Sequence, residues 1–200
     1  MKQETRLTLV LLLNLAMITG LVIVGLSSHS LGVLAAGGDF IADSLAIGLG
    51  ILAIYISQRS HGHSKATSVV ALINSVFLFT ITGFIIFEAV QRLTSHTPII
   101  EALPVMVISA ISAIVMIVGV FILGDDDSKE DLHMRSVMLD TVADATSAGA
   151  VAITGGIIFL AKGWYWLDSA VALLIGLVIG YQALKLMRDV VKELRERPSV

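Results

Sequence analysis

Long apolar stretches separated by short polar breaks dominate the pattern of this chain. Each stretch is roughly 20 residues or longer, which is the length an α-helix needs to cross the hydrocarbon core of a bilayer. No second soluble domain fits between or after the stretches, so the pattern predicts an all-α integral membrane protein with one domain over residues 1–200. The six predicted spans are 7–27, 31–56, 67–91, 99–123, 132–161 and 166–187.

The composition supports this class. Hydrophobic residues make up 56% of the chain and charged residues only 14%, whereas a soluble domain carries about 25% charged residues. The chain therefore has too little charge to cover a water-facing surface. Cysteine is absent, which excludes disulfides and thiolate metal sites. The first apolar run is too long for the h-region of a signal peptide and is interpreted as a membrane helix.

The basic residues are distributed unevenly between the two sides of the predicted bundle. With six spans, both termini lie on the same side. The chain has 13 Lys and Arg residues. Only Arg92 and Lys162 fall on the opposite side, and all the others fall on the side of the termini. The positive-inside rule then predicts cytoplasmic termini. We expect a multi-pass protein of the cell inner or plasma membrane, with Trp164 and Trp166 at the outer interface.

Two pairs of aspartates interrupt the apolar spans. Asp39 and Asp43 lie in the second span, and Asp140 and Asp144 lie in the fifth. Residues four apart share one face of a helix. A carboxylate in hydrocarbon is costly, so such residues normally face a cavity and mark an ion or proton path.

The depths of the two pairs match. At 1.5 Å per residue, each pair lies roughly 12 and 18 Å from the start of its own span, close to the midplane of a core about 30 Å thick. The two spans run in opposite directions, so Asp39 is level with Asp144 and Asp43 with Asp140. Small residues beside the acids, such as Gly38, would let the backbones approach.

A cage of four carboxylates would suit a divalent metal cation. Four acids in a dry site cannot all stay ionised, so the empty site should hold protons shared among the four. A dication would displace these protons, and protons would expel the metal. The pattern therefore predicts metal/proton exchange.

These motifs resemble those of the cation diffusion facilitator family over nearly the whole chain. Two helices of that family carry an acid or histidine four residues before an aspartate, as the second and fifth spans do here. The stretches that are similar to the family are 34–46, 132–145, Glu88–Leu93 with Pro98, Gly163-Trp164 followed by Asp168 and, more weakly, the loop His61–Lys65.

The resemblance implies a six-helix exporter, usually a homodimer, that works by alternating access and has no permanent cofactor. It would move Zn²⁺, with Cd²⁺ as a mimic, out of the cytoplasm against protons. The four aspartates match the family's transport site. His61 and His63 match a loop where some members bind a further zinc ion, although a plain polar turn explains them equally well.

Two departures from the family pattern bear on regulation and metal choice. The family usually carries a cytoplasmic C-terminal domain, and this sequence ends soon after its sixth span, so we expect a short member without that domain. Zinc members often have histidine in the first position of a pair, whereas both are aspartate here. All-oxygen sites suit harder ions, so export of Mn²⁺ or Fe²⁺ is the alternative. We expect Zn²⁺ as the substrate slightly ahead of these ions.

Functions of other classes fit less well. An intramembrane aspartyl protease would leave two acids over, and a proton-coupled organic-cation exporter would need an aromatic-lined pocket in a chain with 6% aromatic residues. We therefore expect no enzyme activity and no nucleic-acid partner. Asp168 is a candidate site residue or a helix cap, and Asn14 either lines the site or packs in the first span.

Overall fold

The residues that the computed structural model describes are 3–59, 65–123 and 132–196. The described residues are almost entirely α-helical, and residues 96–101 have no regular secondary structure. The predicted all-α class is confirmed. The helices are α1 (Gln3–Ser27), α2 (Leu31–Arg59), α3 (Lys65–Thr94), α4 (Ala102–Leu123), α5 (Leu132–Ala161) and α6 (Trp166–Glu196).

Each predicted span coincides with one helix, and several helices continue past the apolar region. α6 extends through the charged tail as far as Glu196. α4 begins at Ala102, three residues later than predicted, after a segment without regular secondary structure that contains Pro98. Pro104 lies in the first turn of α4, where its missing N–H would have had no helical partner anyway.

Four helices are long and apolar enough over their described residues to cross a membrane. The segments are Ala71–Thr94, Ala102–Phe121, Thr141–Ala161 and Trp166–Lys192, and the apolar part of α1 from Leu15 to Ser27 is shorter. Large side chains such as Phe84, Phe121 and Leu160 are exposed, as expected for lipid-facing positions. The total of six spans and the cytoplasmic side of the termini stay predictions.

The turn between α1 and α2 reverses the chain within three residues. His29 adopts the left-handed conformation with φ of 57°, a region in which histidine is more common than most residues. The N–H of Ser30 donates to the carbonyl of Gly25 at 3.1 Å, and the N–H of His29 donates to that of Leu26 at 3.4 Å. These two bonds form a Schellman cap on α1.

The turns between helices distinguish the two ends of the bundle. The junction end is the end at which α1 leads into α2, α3 into α4, and α5 into α6. The terminal end is the opposite end, where α1 begins and α6 finishes.

Close antiparallel contacts hold the helices in two tightly packed pairs, α3 with α6 and α4 with α5. A β-carbon at Gly176 would lie 3.0 Å from the side chain of Ile86, which is on α3. A β-carbon at Gly155 would lie 2.9 Å from the backbone nitrogen of Met106, which is on α4. Lipid provides little hydrophobic drive between helices, so such close packing supplies much of their attraction.

The buried apolar core lies mainly toward the junction end and joins these pairs to α1 and α2. Leu21 of α1, Val33 and Phe40 of α2, Val151 of α5 and Ile175 of α6 are all part of one cluster. The core therefore holds the first half of α2 against α1, α5 and α6, and this half includes Asp39.

We expect Gly155→Ala to destabilise the bundle, because the added methyl group meets the backbone of α4 rather than a flexible side chain. Overpacking of this kind costs about 1–3 kcal/mol. Gly149→Ala on the same helix is the control, since a β-carbon there meets nothing within 4 Å. Unfolding of both variants in mixed micelles with SDS would measure the difference, and equal midpoints would contradict the α4–α5 contact.

Candidate metal site

The carboxyl group of Asp168, in the first turn of α6, lies against the start of α2. Its Oδ2 accepts from the backbone N–H of Leu31 at 2.7 Å, and its Oδ1 accepts from the hydroxyl of Ser30 at 2.6 Å. The N–H of Gly32 lies 3.3 and 3.4 Å from the two oxygens. Asp168 is 1% exposed. It therefore caps α2, and it does so across 137 residues of sequence.

Ser30 completes this cap from within the chain. Its hydroxyl oxygen accepts from the N–H of Val33 at 3.2 Å while its hydrogen is donated to Asp168. Serine at this position satisfies one of the N–H groups that the first turn of a helix leaves without a partner. An acidic group at the same end also interacts favourably with the helix dipole.

Arg92 of α3 provides a second link to the same turn. Its Nη1 donates to the backbone carbonyl of His29 at 2.6 Å, and its Nε donates to Glu88 at 3.0 Å. The sequence pattern predicts the ion pair between Glu88 and Arg92, which is confirmed. The hydrogen bond from Arg92 to His29 could not be inferred from the sequence pattern. α3 and α6 thus hold the start of α2 from two sides.

Gly32 sets the contact between α2 and α5. A β-carbon at Gly32 would lie 2.9 Å from Oδ1 of Asp168 and 3.3 Å from the side chain of Val151. Any larger residue would push α2 away from α5 and from its cap. Glycine is therefore required here by close approach rather than by an unusual backbone angle.

The contact between Gly32 and Val151 fixes the levels of the acids along the two helices. Asp39 follows Gly32 by seven residues, and Asp144 precedes Val151 by seven. Both lie about 10 Å further toward the terminal end. Since seven residues are close to two full turns, each acid also lies on the helix face that makes the contact.

The second acid of each pair falls on the same faces. Asp43 lies one turn beyond Asp39, and position 140 lies one turn before Asp144. The acidic faces of α2 and α5 are therefore in register, Asp39 with Asp144 and Asp43 with position 140. The side chain of Asp140 itself lies outside the described residues.

The described acids differ in exposure. Asp144 is 5% exposed, and Asp39 and Asp43 are half-buried. Among the described residues, no group of three or more histidine, cysteine, aspartate or glutamate side chains lies close enough to hold a metal ion. Asp39, Asp43 and Asp144 alone are thus not gathered into such a group.

The other candidates lie apart from these acids or outside the description. Asp168 is the cap of α2 and stands about 10 Å along α2 from Asp39, since its partner Gly32 lies seven residues before Asp39. His61, His63 and the side chain of Asn14 fall outside the described residues. The interpretation of Asp168 as a cap is correct, although it caps α2 and not its own helix.

We expect Asp168→Ala to lower the free energy of unfolding by about 2–3 kcal/mol, because hydrogen bonds to a charged group contribute about that much. Asp168→Asn should cost less, since its amide oxygen still accepts from one N–H. Asp189→Ala, which changes an exposed acid of the same helix, is the control and should stay within about 0.5 kcal/mol of the parent.

SDS-induced unfolding monitored by circular dichroism would measure all three variants. The cap would be refuted if Asp168→Ala unfolded at the same midpoint as Asp189→Ala.

Comparison with known proteins identifies a family that covers almost the whole bundle. The family profile described as the cation efflux transmembrane domain matches residues 7–195. This range includes the start of α2 with its cap, the two acidic faces, and α6 almost to its end.

Several curated relatives align with the chain at low identity. A cadmium, cobalt and zinc/H(+)-K(+) antiporter of Bacillus velezensis is 30% identical over 191 residues, covering 88% of this chain and 60% of the relative. The zinc transporter ZitB of Pectobacterium atrosepticum is 28% identical, covering 88% and 56%. The metal cation efflux system protein CzcD of Cupriavidus metallidurans is 28% identical, covering 87% and 56%. The chain thus spans less than two thirds of the length of these relatives.

Proposed function

The chain belongs to the cation efflux family of membrane transporters, and from that membership we propose that it exports a divalent metal cation. The observation that carries the proposal is the contact of Gly32 with Val151. This contact, together with the cap from Asp168, supports a site in which the acids of α2 and α5 share one ion.

The proposed transport site consists of Asp39, Asp43, Asp140 and Asp144. Asp144 is buried, and the acids of α2 are half-buried, so an ion between them would exchange most of its water for carboxylate oxygens. Three of these acids do not form a metal-holding group by themselves. We infer that Asp140 of α5 supplies the fourth carboxylate of the site.

Proton exchange follows from the chemistry of such a site. Closely spaced carboxylates cannot all remain charged without a counter-ion, so protons should occupy the site when the metal leaves. Metal binding then releases protons on one side of the membrane, and protons expel metal on the other. The two ligands would compete for the same four side chains, which is the requirement for antiport by alternating access.

Zinc is the substrate that we propose first, with cadmium as a second substrate. The three relatives described above include a zinc transporter and an antiporter for cadmium, cobalt and zinc, and carboxylate oxygens are known zinc ligands. The all-aspartate site also suits Mn²⁺ or Fe²⁺, because hard oxygen donors favour harder ions. Manganese is therefore the alternative substrate.

The same proposal covers the orientation and assembly of the protein. The excess of Lys and Arg at the terminal end supports cytoplasmic termini, so metal would enter the site from that end. We propose a homodimer in the inner or plasma membrane, which size-exclusion chromatography with light scattering would test. His61 and His63 are proposed as a secondary cytoplasmic metal site.

We expect Asp43→Ala and Asp140→Ala each to abolish metal-driven proton movement in reconstituted vesicles. Each substitution removes one of the four carboxylates that hold the ion and its competing protons. A pH-sensitive dye inside the vesicles would measure the flux after zinc is added outside. Asp189→Asn is the control, because Asp189 is an exposed acid at the far end of α6.

Size-exclusion profiles of the variants would show whether the proteins remain assembled. Unchanged flux in both alanine variants would remove the site assignment.

We expect Zn²⁺ and Cd²⁺ to compete with each other more strongly than Mn²⁺ or Fe²⁺ competes with either. Vesicles with an imposed pH gradient would be loaded with a zinc-sensitive dye, and each ion would be added in excess over zinc. Collapse of the pH gradient should abolish zinc accumulation. Stronger inhibition by Mn²⁺ than by Cd²⁺ would favour the manganese alternative.

A further inference from the structure

One side of α6 points away from the bundle and changes character along its length. Ala172, Ile179, Ala183 and Val190 are buried and mark the side of α6 that packs against its neighbours. The opposite side carries exposed residues spaced by four, three, four, three and four positions, which form one stripe of a helix. These residues, here called the outer stripe, are Leu174, Val178, Tyr181, Lys185, Arg188 and Lys192.

The outer stripe passes from apolar to basic within one helical turn. Leu174 is 64% exposed, Val178 is 53% exposed and Tyr181 is 69% exposed, so this half of the stripe is suited to contact with lipid tails. Lys185 and the basic residues after it are exposed as well. Tyrosine at the boundary is typical of a membrane interface, where one end of the side chain is apolar and the other is hydrated.

The change falls at the depth where the hydrocarbon core ends. α6 begins at Trp166, which is exposed and is of a residue type that is enriched at membrane interfaces. Lys185 follows Trp166 by 19 residues, or about 29 Å along the helix, and the core is about 30 Å thick. Arg188 and Lys192 lie about 5 and 10 Å further on. All three basic residues therefore stand at the level of the lipid headgroups at the terminal end.

The basic half of the outer stripe has more positive charge than the neighbouring acid can offset. Residues 184–192 contain three basic residues and one acid, Asp189. Lysine and arginine donate charge-assisted hydrogen bonds to phosphate oxygens. Their aliphatic stems also cover apolar surface while the charged ends reach outward. This half of the stripe thus complements a negatively charged phosphate group.

We propose that the outer stripe is a binding surface for an anionic phospholipid. The headgroup phosphate lies against Lys185, Arg188 and Lys192, and the acyl chains lie along the apolar half of the stripe. A phospholipid has these two chemistries in the same order along its length, whereas free phosphate would leave the apolar half uncovered. Cytoplasmic leaflets carry anionic lipids, which agrees with the proposed orientation of the terminal end. The proposal does not depend on which cation is exported.

The absence of cysteine from the chain allows a test at one position of the full-length protein. Val178→Cys would carry a single fluorophore on the outer stripe, about 10 Å below Lys185. Vesicles of phosphatidylcholine would contain increasing fractions of phosphatidylglycerol or phosphatidylcholine with brominated acyl chains. Quenching of the fluorophore would give the association constant of each lipid, and their ratio measures the local preference for the anionic lipid.

Ile114→Cys on α4 is the matched control position. Ile114 is 61% exposed and lies twelve residues after the start of α4, as Val178 does after the start of α6. Residues 115–123 carry no charged side chain. We expect phosphatidylglycerol to quench the label at position 178 more strongly than phosphatidylcholine does, and both lipids to quench the label at position 114 equally.

We expect Lys185→Gln and Arg188→Gln, each combined with Val178→Cys, to lower the ratio of the two association constants about fivefold, the effect of one basic residue near an anionic surface. Asp189→Asn changes an exposed charge on the same turn and should not lower the ratio. Salt at 1 M, which screens exposed charges, should bring the ratio for the parent close to one.

Equal association of the two lipids at position 178 would overturn the proposal and would be the result if a protein segment covered the outer stripe instead. An equal preference at positions 178 and 114 would overturn it too, as would a preference that survives both glutamine substitutions together. If labelled Val178→Cys does not reconstitute, Leu174→Cys on the same stripe replaces it. Loss of zinc movement with an intact lipid preference would count against the proposed function alone.

Discussion

The carboxyl group of Asp168 holds the first turn of α2, and the placement of the acidic face of α2 depends on this interaction. The first N–H groups of a helix have no partner within the helix, and the first residues of α2 are buried inside the bundle. Asp168 and Ser30 supply the missing acceptors. Because the bonds are short and nearly excluded from solvent, they fix both the height and the rotation of α2, and so the direction in which Asp39 points.

Close packing around glycine transmits this placement to α5. Gly32 lies between the capping carboxyl group and Val151, with no room for a side chain. The junction end therefore joins α2, α5 and α6 at a single point, while Arg92 adds α3 through the carbonyl of His29. The pairs formed by α3 with α6 and by α4 with α5 are held by similar glycine contacts, since lipid gives apolar side chains little reason to associate with each other.

The acids lie about 10 Å beyond this fixed point, toward the terminal end. A site with carboxylates on two helices changes its charge when an ion or protons enter, and the helices can respond where they are not locked together. Asp144 is buried there, whereas large apolar side chains on the outside of the bundle are exposed. In the proposed exporter, the fixed junction would keep the two acidic faces in register while an ion enters and leaves.

The sequence by itself determined the helices and the spacing of the acids, because crossing a bilayer requires a local run of apolar residues and a residue four positions on shares a helix face. It also indicated the pairing of Glu88 with Arg92, which depends only on that spacing. Only the tertiary structure decided that Asp168 caps α2 and that Arg92 binds the carbonyl of His29. These contacts join residues far apart in the chain, and helical periodicity gives the face of each helix but not the identity of the neighbour that the face meets.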